Sequence, residues 1–390
     1  MGIKGLNKLI SQYAPTALSQ KHVSEFCGSK IAIDSEILMH KFKTIESKNS
    51  HIFGFLNNIF WHLENGIEPI YVFDGAPNSA KQTNALTKRF TYKEQMYRKV
   101  EELENKFVEQ LDNMHILETS DSLGHSVLGP EINETLDELF KIQRKMSFMT
   151  ISKNYRNECK YLLKLMGIPF IVANEDAEAL CVALQKRKIV DYVYTEDTDA
   201  IPYFIASFID NESFEGLKIL RKGDSIDMLT VIDIGIILHD MELSPKSFID
   251  MCIMCGCDFC PNIPKIGPIR AYTGIKKYLT IEDFGKLSGI IIPLDFKYQE
   301  ARDIFYKDHS QIVDKSLNLG TLNLEDLKIY LFQERNLNPI PIIDKYNQIF
   351  DVYKIKIQSK NNKPSESLQG LSSSVSINKK SGAFNDLITC

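Results

Sequence analysis

The chain of 390 residues has no apolar run long enough to cross a bilayer and no secretory signal at its start, so the expectation is an intracellular protein that is not secreted. Its eight cysteines are then expected to stay reduced. The opening MGIKGL has Leu6 where a myristoylation signal wants Ser or Thr, which leaves an ordinary N-terminus. A basic excess is missing too. With 46 Lys and Arg against 51 Asp and Glu, the net charge is −5, which excludes a surface that attracts nucleic acid everywhere but leaves room for local basic tracks. No internal repeat is evident. Cys252, Cys255, Cys257 and Cys260 crowd together without a histidine, on a helix end and the turn after it. Structural zinc sites usually join two separated knuckles, so buried thiols are the expectation here.

What the chain does have is a set of apolar runs that end in acids. Lys30-Ile31-Ala32-Ile33 leads into Asp34, and Ile70-Tyr71-Val72-Phe73 into Asp74. Ile168 to Val172 leads towards Asp176 and Glu178, and Tyr192-Val193-Tyr194 towards Asp197 and Asp199. Such runs read as buried strands whose last residues emerge at the carboxyl edge of a sheet. The helical stretch Ala177 to Arg187 would carry the chain back between two parallel strands. All the acids then fall on the edge where open α/β sheets bind ligands. One such ending is readily a solvated turn; four are a built site. Carboxylates packed this closely repel unless cations sit among them, so hard, oxygen-seeking ions such as Mg2+ or Mn2+ are implied. The nominated metal ligands are Asp34, Asp74, Asp176, Glu178, Asp197 and Asp199, with Asp258 as a seventh acid at the end of a later helix.

Elsewhere, Gly2 to Leu9 opens a short helix and Phe53 to Leu63 is helical up to Asn65-Gly66. From Ala85 to about Lys164 the chain is charged and helical. Thr87 to Lys99 is basic with interleaved aromatics, a composition suited to phosphate contact and stacking; residues 101 to 138 are acidic, with a loop from Gly124 to Pro130. Basic character returns at Lys141, Arg144, Lys145, Lys153, Arg156 and Lys160. Leu217 to Leu220 predicts a strand, about Leu229 to His239 a helix, and Ser244-Pro245 a capped helix start. Lys265 to Ala271 reads as a tight turn whose exposed backbone amides suit phosphate. Leu324 to Glu334 and about Ile343 to Tyr353 are further helices. After about Gln358 the tail is too polar to bury a core and is expected to be disordered.

MGIKGLNKLI, KIAIDS, YVFDGAP, NECKYLLKLMGIPF, YTEDTDA and CGCDFCPNIPKIGPIRA, in that order and spacing, resemble the flap endonuclease branch of the XPG nuclease superfamily. The resemblance implies a PIN-like (5′-3′ exonuclease-like) α/β fold: a parallel sheet flanked by helices, a helical arch, and a C-terminal helix-hairpin-helix or helix-turn-helix element that grips duplex DNA, often with K+. On that pattern residues 1–100 form the N-terminal region, 101–150 the arch insertion, 151–258 the internal region, 259–357 the hairpin and C-terminal helices, and 358–390 the tail. Metal roles are implied for Asp34, Asp74, Glu178, Asp197, Asp199 and Asp258. Lys81, with Lys88 or Arg89, is implied beside the scissile phosphate, and Gly2, His40, Gly267 and Arg270 in DNA contact.

Several positions depart from the pattern. Glu175-Asp176-Ala177-Glu178 replaces Glu-x-Glu, leaving Glu175 and Asp176 as alternatives. His40 stands for a stacking Tyr, Lys265 for the first hairpin Gly, and Ile269 for a Lys. Gln369 is not followed by a sliding-clamp motif, so clamp binding through the tail is not predicted. The function expected is metal-dependent hydrolysis of DNA at the junction of a 5′ single-stranded branch with duplex, by a monomer at a site of DNA replication, repair or recombination, such as the nucleus. A 5′-3′ exonuclease or junction-resolving relative is the nearer alternative, and a non-catalytic scaffold the more distant one.

Overall fold

Alternation along two strands explains why the centre of the sheet is apolar on both sides. In β2 (Lys30–Asp34), Ile31 and Ile33 join one core and Ala32 the other. In β3 (Glu68–Phe73), Tyr71 and Phe73 share the first core and Ile70 and Val72 the second. Both strands therefore read as continuous apolar runs rather than alternating ones. The computed structural model describes residues 2–43, 49–76, 79–118, 134–142, 151–209, 217–311 and 317–361, with backbone alone over 79–90 and 111–118 and at 361.

Among the described residues the sheet has seven strands in the order β1-β7-β6-β5-β2-β3-β4. β2 lies between β3 and β5 (Tyr192–Tyr194), β4 (Phe170–Val172) borders β3, and β6 (Lys218–Lys222) borders β5, all in parallel. β7 (Met228–Asp233) returns antiparallel to β6, and β1 (Leu18–His22) pairs antiparallel with β7.

One face is covered by α1 (Leu6–Tyr13), α7 (Ala177–Lys186), α8 (Ala200–Ser207), α9 (Ile234–Met241) and α10 (Pro245–Cys255). α11 (Pro268–Tyr278), α12 (Ile281–Leu287) and α13 (Tyr298–Tyr306) extend that core. The other face is covered by α2 (Ser35–Lys43), α3 (Ser50–Glu64) and α6 (Lys153–Leu165), with α14 (Leu324–Ile329), a π-helical turn at Tyr330–Glu334 and α15 (Ile340–Asn361) packed outside. Ser152 and Ser244 cap α6 and α10 by accepting the Tyr155 and Ser247 amides at 3.1 Å, each contribution being about 1 kcal/mol.

Between β3 and α6 stand α4 (Ser79–Glu118) and α5 (134–142). Leu103, Leu139 and Ile142, with Met96 and Val100, make the seam between these two helices, and Lys99 pairs with Glu138 at 2.7 Å. α4 passes through residue 100 without a break, so a boundary at 100/101 falls inside a helix. The loop expected from Gly124 to Pro130 lies outside the described residues.

Three expectations need correction, and one strand, β1, has no expectation at all. The sheet is mixed, not wholly parallel, because the chain turns back after β6: the Gly223 amide donates to the Met228 carbonyl at 3.1 Å and closes a hairpin. The helix expected over Leu229 to His239 is strand up to Asp233, whose side chain then caps α9 through the Ile236 amide at 3.2 Å. β1 carries no periodic signal, since four of its five residues are exposed on an edge strand. The last helix also runs beyond Tyr353 to Asn361, past the expected start of the tail; the rest of the tail lies outside the described residues.

Candidate metal centre

The acids converge because their strands are neighbours. β2, β3 and β5 are parallel and adjacent, so the residues after them share one edge, and α7 begins beside it. Asp34 ends β2, Asp74 follows β3, Asp176 and Glu178 open α7, and Asp197 and Asp199 follow β5. Asp34, Asp176, Glu178, Asp197 and Asp199 are all buried and Asp74 is half-buried. Carboxylate oxygens of Asp74, Asp176 and Glu178 lie within 4.8 Å of one another.

Four of the carboxylates are held by named donors. Asp34 accepts the Glu36 amide at 3.0 Å and the Thr195 hydroxyl at 2.9 Å. Thr195 in turn accepts the Asp197 amide at 3.0 Å, and Asp197 accepts the Asp199 amide at 3.2 Å. One hydroxyl thus bridges the ends of two strands. Asp74 accepts the Ala177 amide at 2.9 Å, so the first turn of α7 is capped from a different strand. Asp176, at the cap position itself, instead accepts the hydroxyl of buried Tyr203 at 2.9 Å. Glu175 points elsewhere and pairs with Lys307 at 2.6 Å, so of the two alternatives it is Asp176 that joins Asp74 and Glu178.

The electrostatics follow from this packing. Burial first, then repulsion from Asp74 and Asp197, pushes the Asp34 carboxyl up to about 8 despite its two hydrogen bonds. Burial raises the Tyr203 phenol well above its ordinary value, with Asp176, Glu178 and Asp199 adding to the effect. The Cys181 thiol is raised likewise by burial, then by Asp34, Glu178 and Asp74. An all-oxygen, anionic and mutually repelling donor set fits hard divalent cations and not soft ones.

Gly2 packs directly on this centre. Its φ is +94°, and a Cβ there would lie 2.0 Å from an Asp197 carboxylate oxygen, so both conformation and space require glycine. The Lys4 amide donates to the Gly256 carbonyl at 3.2 Å, bringing the turn after α10 beside the same N-terminal segment. Asp258 sits half-buried in that turn, outside the group of three acids within 4.8 Å. Cys252, Cys255, Cys257 and Cys260 are buried in the core; burial pushes the Cys255 thiol up to about 12.

His40 is half-buried in the last turn of α2. Gly267 caps α11 with open space around its Cα, so packing does not demand glycine there. Arg270 is exposed, and its guanidinium donates to the Lys265 carbonyl at 3.1 Å. Lys265 adopts φ +64°, the left-handed conformation that a glycine would take without strain. Lys81, Lys88 and Arg89 lie in the first part of α4, and their side chains fall outside the described residues. The sequence reading missed Thr195 and Tyr203. Nothing local marks Thr195, while Tyr203 carries a weak signal as a polar-tipped ring within an otherwise apolar helix.

A sheet whose adjacent strand ends gather buried carboxylates defines a metal-binding α/β protein of the carboxylate-centred kind. The XPG N-terminal domain model matches residues 1–96 and the XPG I-region model residues 167–258. Flap endonuclease 1 of Entamoeba histolytica is 31% identical over 376 residues, covering 92% of this chain and 90% of that protein. Flap endonuclease 1 of Cryptosporidium muris is 32% identical over 374 residues, covering 90% and 72%. The catalytic core of Rad2 in complex with DNA substrate superposes with a TM-score of 0.62 at 18% identity, over 90% of this chain and all of that one. Flap endonuclease-1 from Methanococcus jannaschii gives 0.59 at 22%, over 89% and 99%. The chain belongs to the flap endonuclease branch of the XPG nuclease superfamily, and is thereby a hydrolytic nuclease.

Proposed function

We propose that this protein hydrolyses a DNA phosphodiester where a 5′ single strand leaves a duplex, with Asp34, Asp74, Asp176, Glu178, Asp197 and Asp199, and Asp258 beyond them, holding two Mg2+ ions for which Mn2+ can substitute. The observation that carries it is the convergence of Asp74, Asp176 and Glu178 within 4.8 Å on one sheet edge, with Asp34 and Asp197 repelling across it. Such ions supply Lewis acidity to the scissile phosphate and lower the pKa of an attacking water. The chain's own donors position the acids: the Tyr203 hydroxyl fixes Asp176, the Ala177 backbone amide fixes Asp74, and Thr195 couples Asp34 to the strand that carries Asp197.

Lys81, with Lys88 or Arg89, is assigned to charge developing on the phosphate, as fixed cations serve in phosphoryl transfer. Gly2 and His40 are assigned to the substrate near the scissile bond, and Gly267 and Arg270 to the duplex. Carbonyls of the 263–267 turn are assigned to K+; the Lys265 carbonyl is already engaged by Arg270. We assign the protein to DNA replication, repair or recombination as a monomer. No helix among the described residues is long and apolar enough to cross a membrane.

The test is Asp199→Ala, assayed with magnesium on a labelled 5′ flap beside a nicked duplex and a four-way junction. Cleavage is expected to be lost while DNA binding persists, since one ligand is removed and the phosphate contacts remain. Undiminished cleavage by the variant would refute the assignment of the centre. A wild-type preference for the nick or the four-way junction would move the reading to an exonuclease or a junction-resolving enzyme.

A further inference from the structure

α6 places four basic residues, Lys153, Arg156, Lys160 and Lys164, at helical spacing on the face opposite its buried Cys159, Leu162, Leu163 and Leu165. Two of them are tied to the acidic edge. Arg156 makes a fork on Glu36, Nε to Oε1 at 2.7 Å and Nη2 to Oε2 at 2.8 Å. Glu36 stands two residues after Asp34 and donates its own amide to that carboxylate. The Glu36 side chain is 9% exposed and Arg156 keeps 31% of its own in solvent. The hydrogen bond to Glu36 first, and the fields of Glu36 and Asp74 after it, raise the guanidinium pKa further above its already high value. One turn on, the Lys160 ammonium lies 5.5 Å from the centre of the Phe73 ring, the residue immediately before Asp74.

A mere tie between α6 and α2 would need one cation for one acid. Among the described residues the acid that Arg156 grips is Glu36, with Asp74 acting on it from farther off, while the nearby Glu158 is turned to His51 at 2.6 Å and Arg335 at 2.7 Å. Like charges three and four residues apart on a helix repel. The Lys160 ammonium is accordingly lowered, by burial first and by Arg156 next. A row of fixed cations beside a metal-binding edge is relieved when a polyanion lies along it.

We infer that Arg156, locked on Glu36 beside the acidic centre, is a phosphate-binding residue that positions the substrate strand, with Lys160 as the next contact along α6. This rests on the nuclease reading above. The cations of α6 stand on the sheet scaffold, whereas Lys81, Lys88 and Arg89 stand on α4. The strand's backbone is thereby gripped from the side of β2 and β3, independently of α4.

The experiment measures the affinity of the full chain for a branched DNA at several salt concentrations, with calcium in place of magnesium to hold off cleavage. Arg156→Gln is expected to weaken binding about tenfold near 0.1 M salt and to make the log–log salt slope shallower by roughly 0.7–0.9, the value for one lost phosphate contact. Arg156→Lys keeps the charge and restores most of the slope. Glu36→Gln removes the tie but not the cation and leaves the slope unchanged. Lys160→Gln, which breaks no hydrogen bond among the described residues, is expected to shift the slope as Arg156→Gln does, and it decides the matter should Arg156→Gln fail to fold. An unchanged slope in both Arg156→Gln and Lys160→Gln, or an equal change in Glu36→Gln, overturns the inference. Failure of the wild-type protein to bind or cleave branched DNA would instead overturn the nuclease reading.

Discussion

Tyr203 and Thr195 bear no charge, yet they set the direction of the charges around them. Tyr203 is 1% exposed and gives its only hydroxyl proton to Asp176, the acid that groups with Asp74 and Glu178. Groups that orient a metal ligand from behind typically govern affinity by tenfold or more. Tyr203→Phe is therefore expected to weaken magnesium binding about tenfold, by calorimetry without DNA, and to cost about 1 kcal/mol in urea unfolding. Equal magnesium affinity in the variant would show that Tyr203 only fills space.

At the scale of elements, α3 shows how a helix can be almost wholly buried and still carry histidine. His62, 1% exposed, donates its Nδ1 proton to the Asn58 carbonyl one turn back, at 2.7 Å. Burial pulls its pKa down to about 4 from the ordinary 6.5, partly opposed by that hydrogen bond. The folded state holds His62 neutral where the unfolded chain would already take up a proton, so its contribution is complete above pH 6.5 and lost as pH falls through 4. The loss amounts to about 3 kcal/mol. Denaturant unfolding at pH 7, 5 and 4 is expected to show this fall, and His62→Phe is expected to flatten it. His51, also lowered by burial, keeps part of the slope in the variant. An identical pH dependence in both proteins would contradict the assignment.

The same scale shows why some elements were legible and others were not. β2, β3 and β5 announce themselves because strands buried on both faces are continuous apolar runs. β1 does not, since an edge strand with one wet face can be built from Leu-Ser-Gln-Lys-His. The segment from Met228 to Leu238 is mostly apolar and rich in β-branched residues, which periodicity alone cannot divide between strand and helix; pairing with β6 makes it a strand up to Asp233.

Across the whole molecule, two cores back the sheet, and the acidic edge is the place where it gathers buried negative charge. The 268–306 helices are tied to that body by Arg302, which bridges Asp250 on α10 and Glu282 on α12; hydrogen bonds from Arg302 are the chief cause that pulls the Glu282 carboxyl down to about 2. Metal binding should thus act on the stability of the entire fold, since the repulsion at the edge, and the site whose cation relieves it, exist only when the sheet is assembled. At a hundredfold excess over Kd, magnesium is expected to add about 2.7 kcal/mol to the unfolding free energy, with less gained by Asp34→Asn. A thermal midpoint indifferent to magnesium and to EDTA would argue against a site of this kind.

The sequence by itself determined which strands form the centre and that each ends in an acid, because burial and strand geometry are written in residue type and period. Only the tertiary structure decided which acids meet. Asp176 rather than Glu175 turns to Asp74 and Glu178, because Lys307 takes Glu175 from 132 residues away. Thr195 reaches Asp34 across 161 residues and so joins it to Asp197. Such contacts depend on strand order, and strand order is a property of the folded sheet that no local stretch of the chain contains.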